Sequence, residues 1–241
     1  MDFRKISNIS VDCVVFGFDN ANLNILLWNR KLQMHDIKYP DIDDWVLTGD
    51  HVFKSERLVQ SATRIFKELT GLDDVYKKQF RAFGNPDRIK NEKDSLWLKS
   101  SGVDPRVMSV AYYFLLPSEI VDLRDENVKW FPIRELPQLG FDHHEIIACA
   151  LEDLKQKIMS EPVIFEFLPD KFTLNELQLA YESVLNIEID NRNFRKKAIS
   201  KTYIVPLEEK RVGTSKKPAR LFMFSKDIYE KTSRRNHVIN I

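Results

Sequence analysis

The sequence predicts an α+β protein in two parts: a sandwich of strands with two long helices, followed by a smaller basic unit that opens with two short helices. Three observations carry this. Strand-like apolar runs recur between Val11 and Ile133, broken once by a strong helical period. A segment with two prolines, Glu161 to Phe172, then separates them from a stretch whose pattern is helix, turn, helix and two strands. The charge also changes sign there. The 241 residues carry a net +1, but from Lys171 onward 15 Lys and Arg face 8 Asp and Glu, so a net +7 follows a net −6. That asymmetry suits either a solvated charged surface or an anionic partner for the tail.

The elements follow in order. "VDCVVFGF" (11–18) and "LNILLW" (23–28) are strand-like, with "DNAN" between them as a hairpin turn. "WVLTG" reads as a short strand. Glu56 to Leu69 is helical, because Leu58, Ala62, Ile65, Phe66 and Leu69 recur at i, i+3, i+4 spacing, and Gly71 is placed to end it. "QFRAFG", "VMSVAYYFLL" and "VKWFPI" read as strands, and His143 to Met159 as a second amphipathic helix. The polar run "IKNEKDSLWLKSSGVDP" (89–105), with its "LWL" centre, reads as a surface insertion or as a lid over a pocket in the sheet. Strands, helix, strands, helix is the grammar of an α+β sandwich, and residues 1–160 are assigned to it.

Residues 161–172 are read as a linker and 173–241 as the second domain. Thr173 with Glu176 makes a capping box ahead of "LNELQLAYESVL", whose inner stripe is Leu174, Leu177, Tyr181 and Val184. Asp190 or Asn191 caps "RNFRKKAISK", which turns Phe194 and Ala198 inward. "IVPLEEKRVGTSKKPARLFMF" then reads as two strands around a basic loop. This order is that of a winged helix-turn-helix.

Composition excludes several classes. Hydrophobic residues make up 43%, enough for true cores. Cys13 and Cys149 have no zinc or disulfide spacing and are expected as buried thiols. The five histidines form no i, i+4 metal pair, so no metal and no cofactor are expected. The start, "MDFRKISNISVD", is polar, and no apolar run approaches the ~20 residues of a membrane span, so a cytoplasmic protein is expected.

"GDHVFKSERLVQSATRIFKELTGL" (49–72) resembles the Nudix signature G-x5-E-x7-R-E-U-x-E-E-x-G-U, where U is aliphatic. Anchored on Gly71 and Leu72, it puts the signature arginine on Arg64, the first glutamate on Glu56 and a later one on Glu68. Asp50 stands at the first glycine, and Ile65 and Leu69 stand at the other two glutamates. Positions 65, 68 and 69 share one helix face. Carboxylates there would hold hard divalent cations that activate water. Aliphatic side chains cannot, so the resemblance implies a Nudix fold without Nudix hydrolysis; Glu68 is also placed to pair with Arg64.

"FGNPDR" (83–88), "RVMSVAYYFLL" (106–116), "WFPIRELPQLGFDHHEII" (130–147) and "FTLNELQLAYE…DNRNFRKK" (172–197) together resemble the Nudix-related transcriptional regulators, which join a Nudix domain to a winged helix. The resemblance covers roughly residues 8–225. That family includes regulators of NAD biosynthesis and, in Bacteroidetes, of pentose use; "KELTGL" looks most like the arabinose type, while the 89–105 insertion departs from the family. It implies a dimeric repressor that binds operator DNA and senses a small molecule, with a pentose such as L-arabinose as the expected effector. The alternatives are ADP-ribose sensing by a regulator of NAD metabolism, and a working pyrophosphohydrolase.

The ligand candidates from the matched segments are Trp45, Thr48, Asp50, His51, Asp87, Arg88, Tyr112 and His143: polar groups for a concave floor and aromatics for stacking. Trp45 and Tyr112 suit a core equally well, Asp87 and Arg88 could pair with each other, and Asp142 suits a helix cap. For DNA, Arg192, Asn193 and Arg195 are assigned near base edges or phosphates, Lys196 and Lys197 to phosphates, and Lys216, Lys217 and Arg220 to the backbone or minor groove along the hairpin.

Overall fold

A computed structural model describes residues 4–33, 41–89, 91–100, 102, 105–211 and 218–232. The chain forms two compact units. One comprises residues 1–17, 24–115 and 119–151, and the other residues 18–23, 116–118 and 152–241.

The first unit is built on a sheet with the path β3 (Ile42–Val46), β2 (Leu23–Leu32), β1 (Lys5–Phe18), β6 (Met108–Pro117), β5 (Tyr76–Phe83). Two further strands branch from it: β4 (Thr48–Phe53) pairs with β1, and β7 (Val128–Pro132) pairs with β2. The predicted hairpin between β1 and β2 is tied by Asp19, whose carboxylate accepts the N–H groups of Ala21 (3.0 Å) and Asn22 (2.7 Å). Asn20 there takes a left-handed φ of 67°, which asparagine tolerates. The expected strand "WVLTG" is in fact two. Val46 ends β3 and Thr48 begins β4, so "GDHVF" belongs to the second of the two strands.

Helix α1 (Leu58–Thr70) buries Ala62, Ile65 and Phe66 against the sheet, where Phe66 stacks on Phe114 at 4.2 Å. Gly71 ends it at φ 76°, donating its N–H to the Lys67 carbonyl. Helix α2 (Glu92–Ser100) lies within the insertion, and α3 (His143–Ser160) follows β7. Cys13 is buried as expected, whereas Cys149 is only half-buried, with Arg81 Nη1 3.1 Å from its sulfur. The half-exposed position follows from the face of α3 on which residue 149 falls.

In the second unit, α4 (Leu174–Leu185) starts at the predicted box: Thr173 Oγ1 accepts from the Glu176 N–H, and the Glu176 carboxylate accepts from the Thr173 N–H. α5 (Asn191–Ile199) is capped by Asp190, which accepts the Asn193 N–H at 2.9 Å. Strands β8 (Ile204–Arg211) and β9 (Ala219–Phe224) pair, and Phe172 adds a third rung by exchanging both backbone hydrogen bonds with Phe222. A short helix α6 (Lys226–Thr232) closes the described part. The segment expected as a linker has its own order. Residues 163–167 form a 3-10 helix, and Phe165 stacks on Phe224 at 4.3 Å. Among the described residues no helix is long and apolar enough to cross a membrane.

Candidate functional site

The first unit contains a cavity of about 920 Å³. Its floor comes from the antiparallel pairing of β1 and β4. Gly49 pairs with Asp12, and a Cβ at Gly49 would fall 2.3 Å from the Asp12 carboxylate, so a larger residue would displace Asp12 from its partners. Asp12 is buried. Its Oδ2 accepts from Ser109 at 2.5 Å and lies 3.5 Å from Arg88. Arg88 spends its main fork on Asp142, at 2.7 and 2.9 Å. His143 Nδ1 accepts the Leu47 N–H at 2.8 Å, which leaves Nε2 carrying the proton on the side of Asp12, 3.9 Å away. Burial pushes the His143 imidazole below its ordinary range, so it is neutral at pH 7.

At one end of the cavity stand Lys5, Lys54 and His51. Lys5 reaches Asp50 at 2.6 Å. His51 is 8% exposed, and its Nε2 is buried without a hydrogen-bond partner. Burial lowers its basicity as well. At the other end Trp28, Trp97 and Phe141 form an aromatic wall. Trp97 belongs to α2, so the insertion acts as the wall of a pocket rather than as a free surface loop. It is fixed from inside. Arg30, fully buried, donates to Asp44 at 2.5 and 3.1 Å and pairs with Asp94 of α2. Asp94 also accepts the Phe141 N–H at 2.9 Å. Phe141 sits at φ 57°, a strained value for a bulky residue, with the Arg30 guanidinium 4.4 Å from its ring centre. Gly140 makes room: a Cβ there would lie 2.5 Å from Arg30 Nη2.

The face of α1 that carries metals in a Nudix enzyme does not fit one here. Ile65 is buried and Leu69 is aliphatic, both at the cavity, and Glu68 is 63% exposed, 3.6 Å from Arg64. Glu56 is fully engaged by Arg64 (2.8 Å) and Ser61 (2.7 Å). Burial works to raise its carboxyl, but those bonds outweigh it and hold the group below the usual carboxylate range. Arg64 also binds Asp50 at 3.1 Å and the His51 carbonyl at 3.0 Å. Among the described residues no cluster of three His, Cys, Asp or Glu is placed to hold a metal ion.

Of the eight ligand candidates, Thr48, Asp50, His51, Arg88 and His143 line the cavity. Trp45 instead packs its ring against Phe131 at 4.8 Å. The Tyr112 hydroxyl donates to Gln79. Asp87 is exposed, and Arg88 pairs with Asp142 and Asp12 rather than with it. Asp142 consequently gives its carboxylate to Arg88 instead of capping α3. Lys5, Lys54, Asp12, Trp28, Trp97 and Phe141 were missed. For Trp97 the "LWL" centre of a polar insertion was the available signal; for Lys5 and Lys54 there was none.

In the second unit, α5 faces outward with Arg192, Asn193, Arg195, Lys196 and Lys197 exposed, over a buried Phe194 that meets Tyr181 at 5.9 Å. Among the described residues none of these four cations forms an ion pair. Arg220 on β9 is tied across the hairpin to the Leu207 carbonyl (3.0 Å) and Glu208 (3.4 Å). Lys216 and Lys217 lie outside the described residues.

Residues 164–224 match the family model of the NrtR DNA-binding winged helix domain. Over most of its length the chain is also similar in structure to Shewanella oneidensis NrtR complexed with a 27mer DNA, with TM-score 0.72 and 27% identity over 92% of this chain and 95% of that one. The chain carries the two-domain architecture of the Nudix-related transcriptional regulators. The ADPR responsive transcriptional repressor NtrR of Acinetobacter baylyi is 27% identical over 231 residues, 92% of this chain and 84% of that protein. A MutT/nudix family protein of Enterococcus faecalis shares the fold at TM-score 0.66 and 23% identity, covering 92% of this chain and 89% of its own. The arabinose-type resemblance, which rested on "KELTGL", finds no support among these relatives. The Nudix-related regulator reading stands without it.

Proposed function

We propose that this Nudix-related regulator is a repressor whose winged helix binds operator DNA as a dimer and whose cavity senses ADP-ribose without catalysing its hydrolysis. The observation that carries the sensing half is a large cavity lined by Lys5, Lys54, Arg88 and His51, beside a helix face that has lost its metal carboxylates. Cations suit a diphosphate, and a cavity of about 920 Å³ exceeds what a free pentose fills. The description of the Acinetobacter baylyi relative as ADPR responsive supports the same ligand. ADP-ribose therefore replaces L-arabinose as the expected effector. The DNA-binding half is supported by the unpaired cations of α5 and by the winged helix match.

For the DNA to be released, ADP-ribose must favour the state of the dimer that binds operator less well, since a ligand of equal affinity for both states shifts nothing. Calorimetry with ADP-ribose and L-arabinose in chelator, followed by gel shifts at fixed salt with and without ligand, tests the reading. Metal-independent ADP-ribose binding that weakens operator binding is expected. Heat from L-arabinose and none from ADP-ribose would return the sugar reading. Metal-dependent turnover of ADP-ribose at ordinary enzyme rates, on the order of 1–10³ per second, would make the protein a hydrolase.

A further inference from the structure

The two ends of the cavity differ in chemistry. β4 runs from Thr48, near the centre, to Phe53, next to Lys54, which is roughly 17 Å of strand at about 3.3 Å per residue. Lys5 pairs opposite Phe53 at that far end. The near end is set by Val46, which pairs opposite Trp28 on β2, and Trp28 also pairs opposite Val128 of β7. There α2 brings Trp97 to within 6.0 Å of Trp28, at an interplanar angle of 62°. Arg30 lies 5.5 Å from the Trp97 ring centre and holds the backbone of this corner through Asp94. The corner is aromatic, backed by the buried Arg30–Asp94 pair. The far end carries Lys54 and the Lys5–Asp50 ion pair and contains an unsatisfied buried nitrogen, His51 Nε2, whose desolvation a ligand acceptor or donor would offset.

We propose that Trp97, carried into the cavity by the insertion, is the specificity residue that stacks on the purine of the ligand, while Lys5, Lys54 and His51 take its diphosphate. The proposal rests on the ADP-ribose reading and deepens it by assigning an orientation. Every base presents a π face, so an indole wall selects a nucleotide over a plain sugar phosphate without reading the base edge.

Calorimetry on the full chain with two probes, ADP-ribose and ribose 5-phosphate, decides it. Trp97→Leu keeps an apolar side chain but removes the π face. It is expected to weaken ADP-ribose about tenfold or more while leaving ribose 5-phosphate within about twofold. Trp97→Phe is expected to recover most of the lost affinity. His51→Ala is expected to weaken both probes. Melting temperatures without ligand establish that each variant is folded, and Trp97→Met, which also lacks a π face, replaces Trp97→Leu if that variant is not. Unchanged ADP-ribose affinity in Trp97→Leu would overturn the proposal, as would an equal loss for both probes. Failure of the underlying reading looks different: wild-type protein then gives no signal with ADP-ribose at all, and the proposal falls with it.

Discussion

Arg30 and Asp94 are joined in a buried ion pair between residues 64 positions apart, with side chains 0% and 1% exposed. Arg30 is on β2 of the sheet and Asp94 on the helix of the insertion, so this pair, together with Lys93–Asp44, fastens α2 to the sheet. Removing one partner leaves an uncompensated buried charge. Asp94→Ala is therefore expected to destabilise the protein by about 3–5 kcal/mol, read from urea denaturation. A loss below about 1 kcal/mol would mean that Asp44 alone satisfies Arg30.

Restoring carboxylates to α1 should not restore an enzyme. Ile65 is buried, so Ile65→Glu places a carboxylate where burial disfavours its charge. The double variant with Leu69→Glu is expected to be less stable than the parent and to show no Mg²⁺-dependent release of phosphate-containing product from ADP-ribose. Glu56 is held by Arg64 and Ser61 and is not free to complete a metal site. Turnover by the double variant would contradict this.

Stability should fall on mild acidification. Burial lowers the proton affinity of both His143 and His51 in the folded state, while in the unfolded chain each titrates near 6.5. Below that pH the unfolded state binds more protons than the folded one, so this contribution is complete above about pH 6.5 and is lost as the pH falls. The urea midpoint is expected to drop between about pH 7.5 and about pH 5.5. His143→Gln, which keeps an acceptor for the Leu47 N–H, should flatten that drop; an identical pH profile would remove His143 from the account.

On α5 the cations should divide by role. Arg195→Ala is expected to cost about 1–3 kcal/mol of operator affinity and to relax the preference at one base pair. Lys196→Ala and Lys197→Ala should weaken binding to every sequence and flatten the salt slope by about one unit per lost phosphate contact. Gel shifts across a salt series separate the two patterns. Arg220→Ala should act partly through the hairpin, since its guanidinium already bridges to Leu207 and Glu208.

Much of the fold was legible because local rules decided it. The Thr173–Glu176 box, the Asp190 cap and the Gly71 terminus are set by residues within a few positions of one another, and each is formed as the sequence predicts. The site was less legible because its contacts are distant. Arg88 meets Asp142 across 54 positions, and Leu47 meets His143 across 96, so neither pairing leaves a local pattern. Arg88 beside Asp87 even suggests the wrong partner. "WVLTG" reads as one short strand because Leu47 is buried between β3 and β4, so the apolar run Trp45 to Leu47 continues across the break.

Trp97 of the aromatic corner belongs to a nine-residue helix that enters between β5 and β6 and is fastened to the sheet through Asp94 and Lys93. On the proposed reading, selectivity is separated in the chain from most residues that build the sheet and from helix α5, proposed to face DNA. Substitutions confined to α2 could retune which molecule the protein answers to while Asp94 keeps the helix docked. A lineage could thus exchange its signal without redesigning its operator, and the insertion is the place where related chains with different effectors should diverge first.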